Sequence, residues 1–185
     1  MSTTSDKQLR TFVAYTEDRP GVLNRVTSLF RRRAYNIQSL TVGRTHTPGI
    51  SRLTLVIEAD DDAARRIEAN IYKLIDVLWV RDITHAPSVE RDLALIKVRA
   101  GADVRASVLE LCTVFRANVV DLAPDAMVLE ITGATEKLDG FLEVLRPIGV
   151  LEMVRTGIVA MTRGASSAEI HSLTETSPGG EHAAA

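Results

Sequence analysis

One succession of hydropathy patterns occurs twice in this chain. Period-two alternation, a helical stripe, two further alternating stretches, a second stripe and a last alternating stretch run from Leu9 to Thr84. The same order recurs from Leu93 to Thr162. In the first pass the spacing predicts a strand over Leu9–Thr16 and a helix that opens near Pro20, a residue suited to a first helical position, and runs to about Arg33. Val22, Leu23, Val26, Leu29 and Phe30 make its apolar face. Strands over Asn36–Arg44 and Arg52–Glu58 flank a Pro48-Gly49 turn, and Leu53, Leu55 and Ile57 point one way. Asp61–Asp76 carries Ile67, Ile71, Leu74 and Ile75 on a stripe that Leu78 continues, and Val77–Thr84 is the fourth strand. The second pass gives a strand at Leu93–Arg99, a helix at Asp103–Arg116 and strands at Asn118–Leu122 and Met127–Thr132. A helix at Thr135–Arg146 and a strand at Leu151–Thr162 complete it.

A βαββαβ order with right-handed crossovers folds as a four-stranded antiparallel sheet with two helices on one face, the ferredoxin-like sandwich. The expected class is therefore α+β, with two ferredoxin-like units at 9–84 and 93–163 and a linker at 85–92, where His85-Ala-Pro-Ser-Val-Glu-Arg-Asp92 is polar and interrupted by proline. Arg33-Ala-Tyr-Asn-Ile is echoed by Arg116-Ala-Asn-Val, a weak sign of duplication. The uncovered sheet face and unpaired edges predict dimerisation that joins sheets between chains. Residues 1–8 and 164–185 hold too little apolar surface to offset chain ordering, so they are expected to be a flexible N-terminus and a disordered tail.

Composition removes several function classes. Twenty-two Lys and Arg against 24 Asp and Glu give 22 − 24 = −2, so no nucleic-acid partner is demanded. No apolar run reaches the roughly 18 residues of a membrane span, and the N-terminus lacks an apolar signal core, which predicts a cytoplasmic protein with no membrane partner. RNA-binding sheets of this topology stack bases on central-strand aromatics. The strand Arg52–Glu58 has none.

Catalytic patterns are missing from the sequence. His46, His85, His171 and His182 have no metal-ligand spacing, and Cys112, the one cysteine, sits beside the stripe Val104, Val108, Leu111 and Phe115 as a small core residue would. No glycine-rich phosphate loop exists, and Gly133-Ala-Thr reads as a turn into a helix. Asp60-Asp-Asp62 suits a helix start, and Arg31-Arg-Arg33 a helix end, by the helix dipole; docking of a protein partner is the other use of that arginine run. No catalytic residue and no metal site are assigned.

The informative segment is Thr16-Glu-Asp-Arg-Pro-Gly-Val-Leu-Asn-Arg. A Pro-Gly pair at a helix start leaves the N–H groups of Gly21 and Val22 accessible to a carboxylate, and Asp18 is placed to accept from an ammonium. One turn thus offers both halves of a site for an amino acid, although spacing alone favours a plain capped helix.

Glu17-Asp-Arg-Pro-Gly-Val-Leu-Asn-Arg-Val, followed by Leu29-Phe-Arg-Arg-Arg-Ala-Tyr-Asn-Ile-Gln-Ser-Leu, resembles the ACT domain of the acetolactate synthase small subunits. The resemblance continues through Ser51-Arg-Leu-Thr, Ile71-Tyr-Lys-Leu-Ile-Asp-Val, Glu90-Arg-Asp-Leu-Ala-Leu-Ile-Lys-Val, Phe115-Arg-Ala-Asn-Val-Val-Asp-Leu and Gly157-Ile-Val-Ala-Met-Thr-Arg-Gly. It covers residues 9–164. It implies an N-terminal ACT domain in a non-catalytic regulatory subunit of branched-chain amino acid biosynthesis, which activates the catalytic large subunit and confers feedback inhibition by valine. It implies a homodimer in which Asp18, Gly21 and Val22 of one chain face Asn36 and Ile37 of the other around valine, or leucine or isoleucine. This chain would bind no catalytic cofactor, while the large subunit would use thiamine diphosphate, Mg²⁺ and FAD. The alternative is a stand-alone amino-acid-sensing ACT protein that regulates a different enzyme. Two positions depart from the family's usual residues: Asp18 stands where many relatives have Asn, and Ala34 where they usually have Gly. A non-Gly residue at a left-handed helix end costs about 1 kcal/mol, so the end of the first helix is expected to shift.

Overall fold

The computed structural model describes residues 7–164. Its first unit comprises β1 (Gln8–Glu17), α1 (Val22–Arg32), β2 (Ile37–Arg44), β3 (Ile50–Ala59), α2 (Asp61–Tyr72) and β4 (Val77–Asp82). The second comprises β5 (Ser88–Arg99), α3 (Arg105–Phe115), β6 (Asn118–Leu122), β7 (Ala126–Gly133), α4 (Thr135–Leu145), β8 (Val150–Arg155) and β9 (Val159–Thr162). Both sheets are antiparallel, in the orders β2-β3-β1-β4 and β6-β7-β5-β8, so the ferredoxin-like path occurs twice. Residues 1–6 and 165–185, most of the expected flexible N-terminus and tail, lie outside the described residues.

Strand alternation and helix stripes meet in two separate cores. Phe12 and Ala14 of β1 and Leu53, Leu55 and Ile57 of β3 face Val26, Phe30, Ile67 and Ile71 of the two helices. In the second unit Ala94, Ile96, Val98, Met127, Leu129 and Ile131 face Val108, Cys112, Leu138, Phe141 and Leu145. Each fully buried Leu, Ile or Phe contributes about 1.5–3 kcal/mol from its removal from water, so these layers are the main stabilising term. Asp60 caps α2, accepting the Ala63 N–H at 2.7 Å, with Asp61 and Asp62 in the first turn.

Several boundaries differ from the periodicity. Leu23 is exposed, because Val22, Val26 and Phe30 at four-residue intervals already fill the contact with the sheet. α2 stops at Tyr72 rather than Asp76, and Ile75 is almost fully exposed in the turn that follows. Ala34 does not shift the end of α1. It takes the left-handed conformation itself, at φ 55°, and the Tyr35 and Ala34 N–H groups donate to Phe30 O and Arg31 O at 3.1 and 3.2 Å. This is a Schellman end, closed by the edge-on Phe30–Tyr35 ring contact. α3 ends likewise: Arg116 lies at φ 53°, and Ala117 and Arg116 donate to Cys112 O and Thr113 O. Ala34 is therefore equivalent to Arg116 and Asn36 to Asn118, so the sequence echo was one residue out of register at its arginines.

The expected linker 85–92 is corrected to a turn that ends at Pro87. Ser88–Arg91 pair with Val159–Thr162, a partner about 70 residues away that a polar composition does not disclose. The last expected strand is two. β8 pairs with Ala94–Val98, the ladder breaks at Thr156–Ile158, and β9 resumes on the first residues of β5. At the break Asp92, buried, accepts from the Thr156 hydroxyl and the Gly157 N–H at 3.2 and 3.1 Å.

That break carries the second unit onto the first sheet's outer face, which is therefore not left uncovered. Ile158 N–H donates to Ser39 Oγ at 3.1 Å, Thr41 Oγ1 donates to Ile158 O at 3.2 Å, and Arg52 donates to Ala160 O. Val13, Ile83 and Ala160 form a small apolar cluster beside Tyr15 and Trp79. Arg10, buried in β1, joins Asp61, Asp82 and His85 and so anchors the turn between the units.

Candidate functional site

β1 delivers the chain to the turn 18–21, and two backbone bonds fix that turn. Glu17 N–H donates to Asp76 O at 2.9 Å and Asp18 N–H to Gly49 O at 2.8 Å, tying it to the α2–β4 connection just before β4 and to the turn of the β2–β3 hairpin. Helix α1 opens at Val22, not at Pro20. Gly21 is the residue before it, at φ 90° and ψ −12°, a left-handed conformation that a side chain disfavours. Arg25 N–H donates back to Gly21 O at 3.0 Å, so the helical ladder starts there.

The N-terminus of α1 has no side-chain cap and no acid in its first turn. Val22 N–H reaches Arg19 O only at 3.5 Å, the limit of a useful bond. The partial positive charge of a helix start is therefore met by no anion of α1 itself. Ionic groups around it are paired: Glu17 with Arg19 at 3.0 Å, Asp76 with Arg25, and Asp18 with Arg44 Nε at 3.2 Å. The sequence marks Arg44 only as a strand end and Gly49 only as part of a hairpin turn, because only the hairpin register and the Asp18–Gly49 bond bring them to the turn 18–21.

Asn36 and Ile37 lie elsewhere in the same chain. Ile37 is level with Ile57, which is level with Arg10. Asp18 follows Glu17 at the other end of β1, so eight residues of strand, about 25 Å, separate the two groups. One chain does not bring Asp18, Gly21 and Val22 to Asn36 and Ile37; a single site holding all five residues requires two chains. Asn36 is exposed directly after the Schellman end of α1, and Ile37 packs on the first core.

Other chemistry-bearing groups are accounted for by packing. Cys112 is buried between α3 and its sheet, and burial pushes its thiol up, away from the reactive thiolate. Among the described residues no group of three His, Cys, Asp or Glu could hold a metal ion, and no helix is long and apolar enough to cross a membrane.

The chain has a doubled ferredoxin-like α+β fold, and comparison with known families makes its first unit an ACT domain. Residues 13–79 match the family model described as the AHAS small subunit-like ACT domain, and residues 91–164 match that described as small subunit of acetolactate synthase. The chain belongs to the acetolactate synthase small subunit family. It is 45% identical over 152 residues to the "Probable acetolactate synthase small subunit" of Methanothermobacter thermautotrophicus, covering 82% of this chain and 90% of that one. Identity to the acetolactate synthase small subunit of Mycolicibacterium smegmatis is 44% over 154 residues, covering 83% and 91%. The crystal structure of the Thermotoga maritima small subunit superposes with a TM-score of 0.79 at 37% identity, over 85% of this chain and 99% of that one. The fold and family together assign a regulatory role.

Proposed function

We propose that this chain binds the catalytic large subunit of acetolactate synthase, raises its activity and confers feedback inhibition by valine, or by leucine or isoleucine in its place. The effector sits between two chains of a homodimer. Asp18, Gly21 and Val22 of one chain hold the amino acid's charged groups, and Asn36 and Ile37 of the other close the site. We divide the chain at the turn 83–87 into this sensing unit and a second unit that completes the subunit. The chain itself is non-catalytic and works in the cytoplasm. Thiamine diphosphate, Mg²⁺ and FAD belong to the large subunit.

One observation carries the proposal: an uncapped helix start opened by Gly21, beside the Asp18 carboxylate, in the ACT unit of a small subunit. Helix N–H groups suit the effector's carboxylate, and Asp18 suits its ammonium. Separation of the two half-sites in one chain is the arrangement a shared site needs.

Reconstitution with the large subunit tests it. Acetolactate formation should rise when the chain is added and fall along a valine series. A complex that forms without either change, or no complex, would overturn the proposal.

A further inference from the structure

We infer that Arg44 is a built-in competitor for the ammonium subsite: its guanidinium holds Asp18 until an amino acid displaces it. This rests on the effector role of the Asp18 turn proposed above, and it adds a residue that determines how tightly the turn takes its ligand.

The geometry starts from the hairpin. Arg44 ends β2 opposite Ser51, and the Asp18 N–H to Gly49 O bond holds the turn against that same hairpin. Nε of Arg44 thereby lies 3.2 Å from Oδ2 of Asp18. The other acids at the turn are committed elsewhere, Glu17 to Arg19 and Asp76, with a side chain only 10% exposed, to Arg25. Asp18, 38% exposed, is the most open of the three, yet a cation already sits on it.

An ammonium and a guanidinium compete as donors for one carboxylate, so an incoming amino acid must break the Asp18–Arg44 pair. The Arg44 side chain is 86% exposed, and displacement returns it to water. Exposed pairs of this kind are weak, which bounds the penalty on ligand affinity at about five-fold. Arg44 thus tunes the effector response.

Calorimetric titration of L-valine into the full chain tests this in four forms: wild type, Arg44→Gln, Asp18→Asn and the double variant. Arg44→Gln should tighten valine about two- to five-fold, and should change nothing once Asp18 is Asn. If Arg44→Gln weakens valine, the guanidinium binds the ligand's carboxylate and the competitor role is overturned. Unchanged affinity in Arg44→Gln, with Asp18→Asn still weakening it, overturns that role and leaves the effector turn standing. Valine that does not bind, or binds regardless of Asp18→Asn, removes the effector turn and the inference with it. Thermal unfolding midpoints equal to wild type confirm that each variant is folded.

Discussion

Gly157 of the second unit lies directly against the Ser39 hydroxyl of the first, closer than any side-chain carbon could approach. A Cβ on Gly157 would overlap Ser39 Oγ and come within 3.2 Å of Thr41 Oγ1, and its φ of 85° is itself left-handed. The next residue, Ile158, donates to that same Ser39 hydroxyl. Glycine is required twice over at this crossing, by conformation and by space.

Gly157→Ala should therefore destabilise the chain by about 2 kcal/mol or more, roughly half of it from the left-handed backbone and the rest from the displaced Ser39 contact. Urea unfolding measures the loss. Ser39→Ala in the same chain should recover part of it by removing the oxygen that clashes. A cost below about 0.5 kcal/mol would show that the crossing segment is not packed as described.

Ala34 is the opposite case, an alanine in a conformation suited to glycine. Ala34→Gly should stabilise the chain by a few tenths of a kcal/mol, up to about 0.5, because the Cβ penalty of about 1 kcal/mol at φ 55° is relieved while the greater freedom of glycine in the unfolded chain offsets part of the gain. An increased unfolding midpoint is the expected result. A decrease would mean that the Schellman end tolerates its Cβ without strain.

The order of elements and both cores were legible in the sequence because each depends on local periodicity, which Phe12, Ala14, Leu53, Leu55 and Ile57 display within a few residues. What stayed hidden depends on distant pairing. The strand at Ser88–Arg91 is made by Val159–Thr162, and its own residues Ser, Val, Glu and Arg alternate no more clearly than a linker does. Leu23 and Ile75 fit their helical stripes yet face outward, since a stripe does not reveal where the sheet ends. At the candidate site, spacing places Asp18, Gly21 and Val22 in one turn at a helix start, and only the family resemblance gives that turn an effector role. Arg44 could not be placed there, because it reaches the turn only through the β2–β3 register and the Asp18–Gly49 bond.

Glu68 gives a prediction in pH. It lines a groove of about 460 Å³ with Arg65, Tyr72 and Trp79, and burial holds its carboxyl above the ordinary glutamate value. The Asp82 charge adds to the rise, while a backbone hydrogen bond at Asp82 and the Arg81 charge oppose it. The folded chain thus binds this proton more tightly than the unfolded chain. The ionised group is a penalty that is fully present above the folded value and disappears as pH falls through it. Glu68→Gln should be more stable than wild type at neutral pH, and the gap should close on acidification into the range just above an ordinary glutamate. Parallel unfolding curves with no closing gap would contradict the burial of this charge.

Gly21→Asp separates folding from sensing. Space is available, since a Cβ at position 21 meets nothing within 4 Å. The left-handed φ of 90° costs about 1 kcal/mol for most side chains, and aspartate is among those that tolerate it best. The helix dipole returns about 0.3–1 kcal/mol to an acid placed there, so the net change in stability should be small and the circular dichroism spectrum unchanged. The new carboxylate occupies the N–H groups proposed for the effector's own carboxylate and repels it at short range. Acetolactate formation by the reconstituted complex should then lose its valine inhibition while activation by the chain persists. A folded Gly21→Asp chain still inhibited at the wild-type valine concentration would remove Gly21 from the effector site.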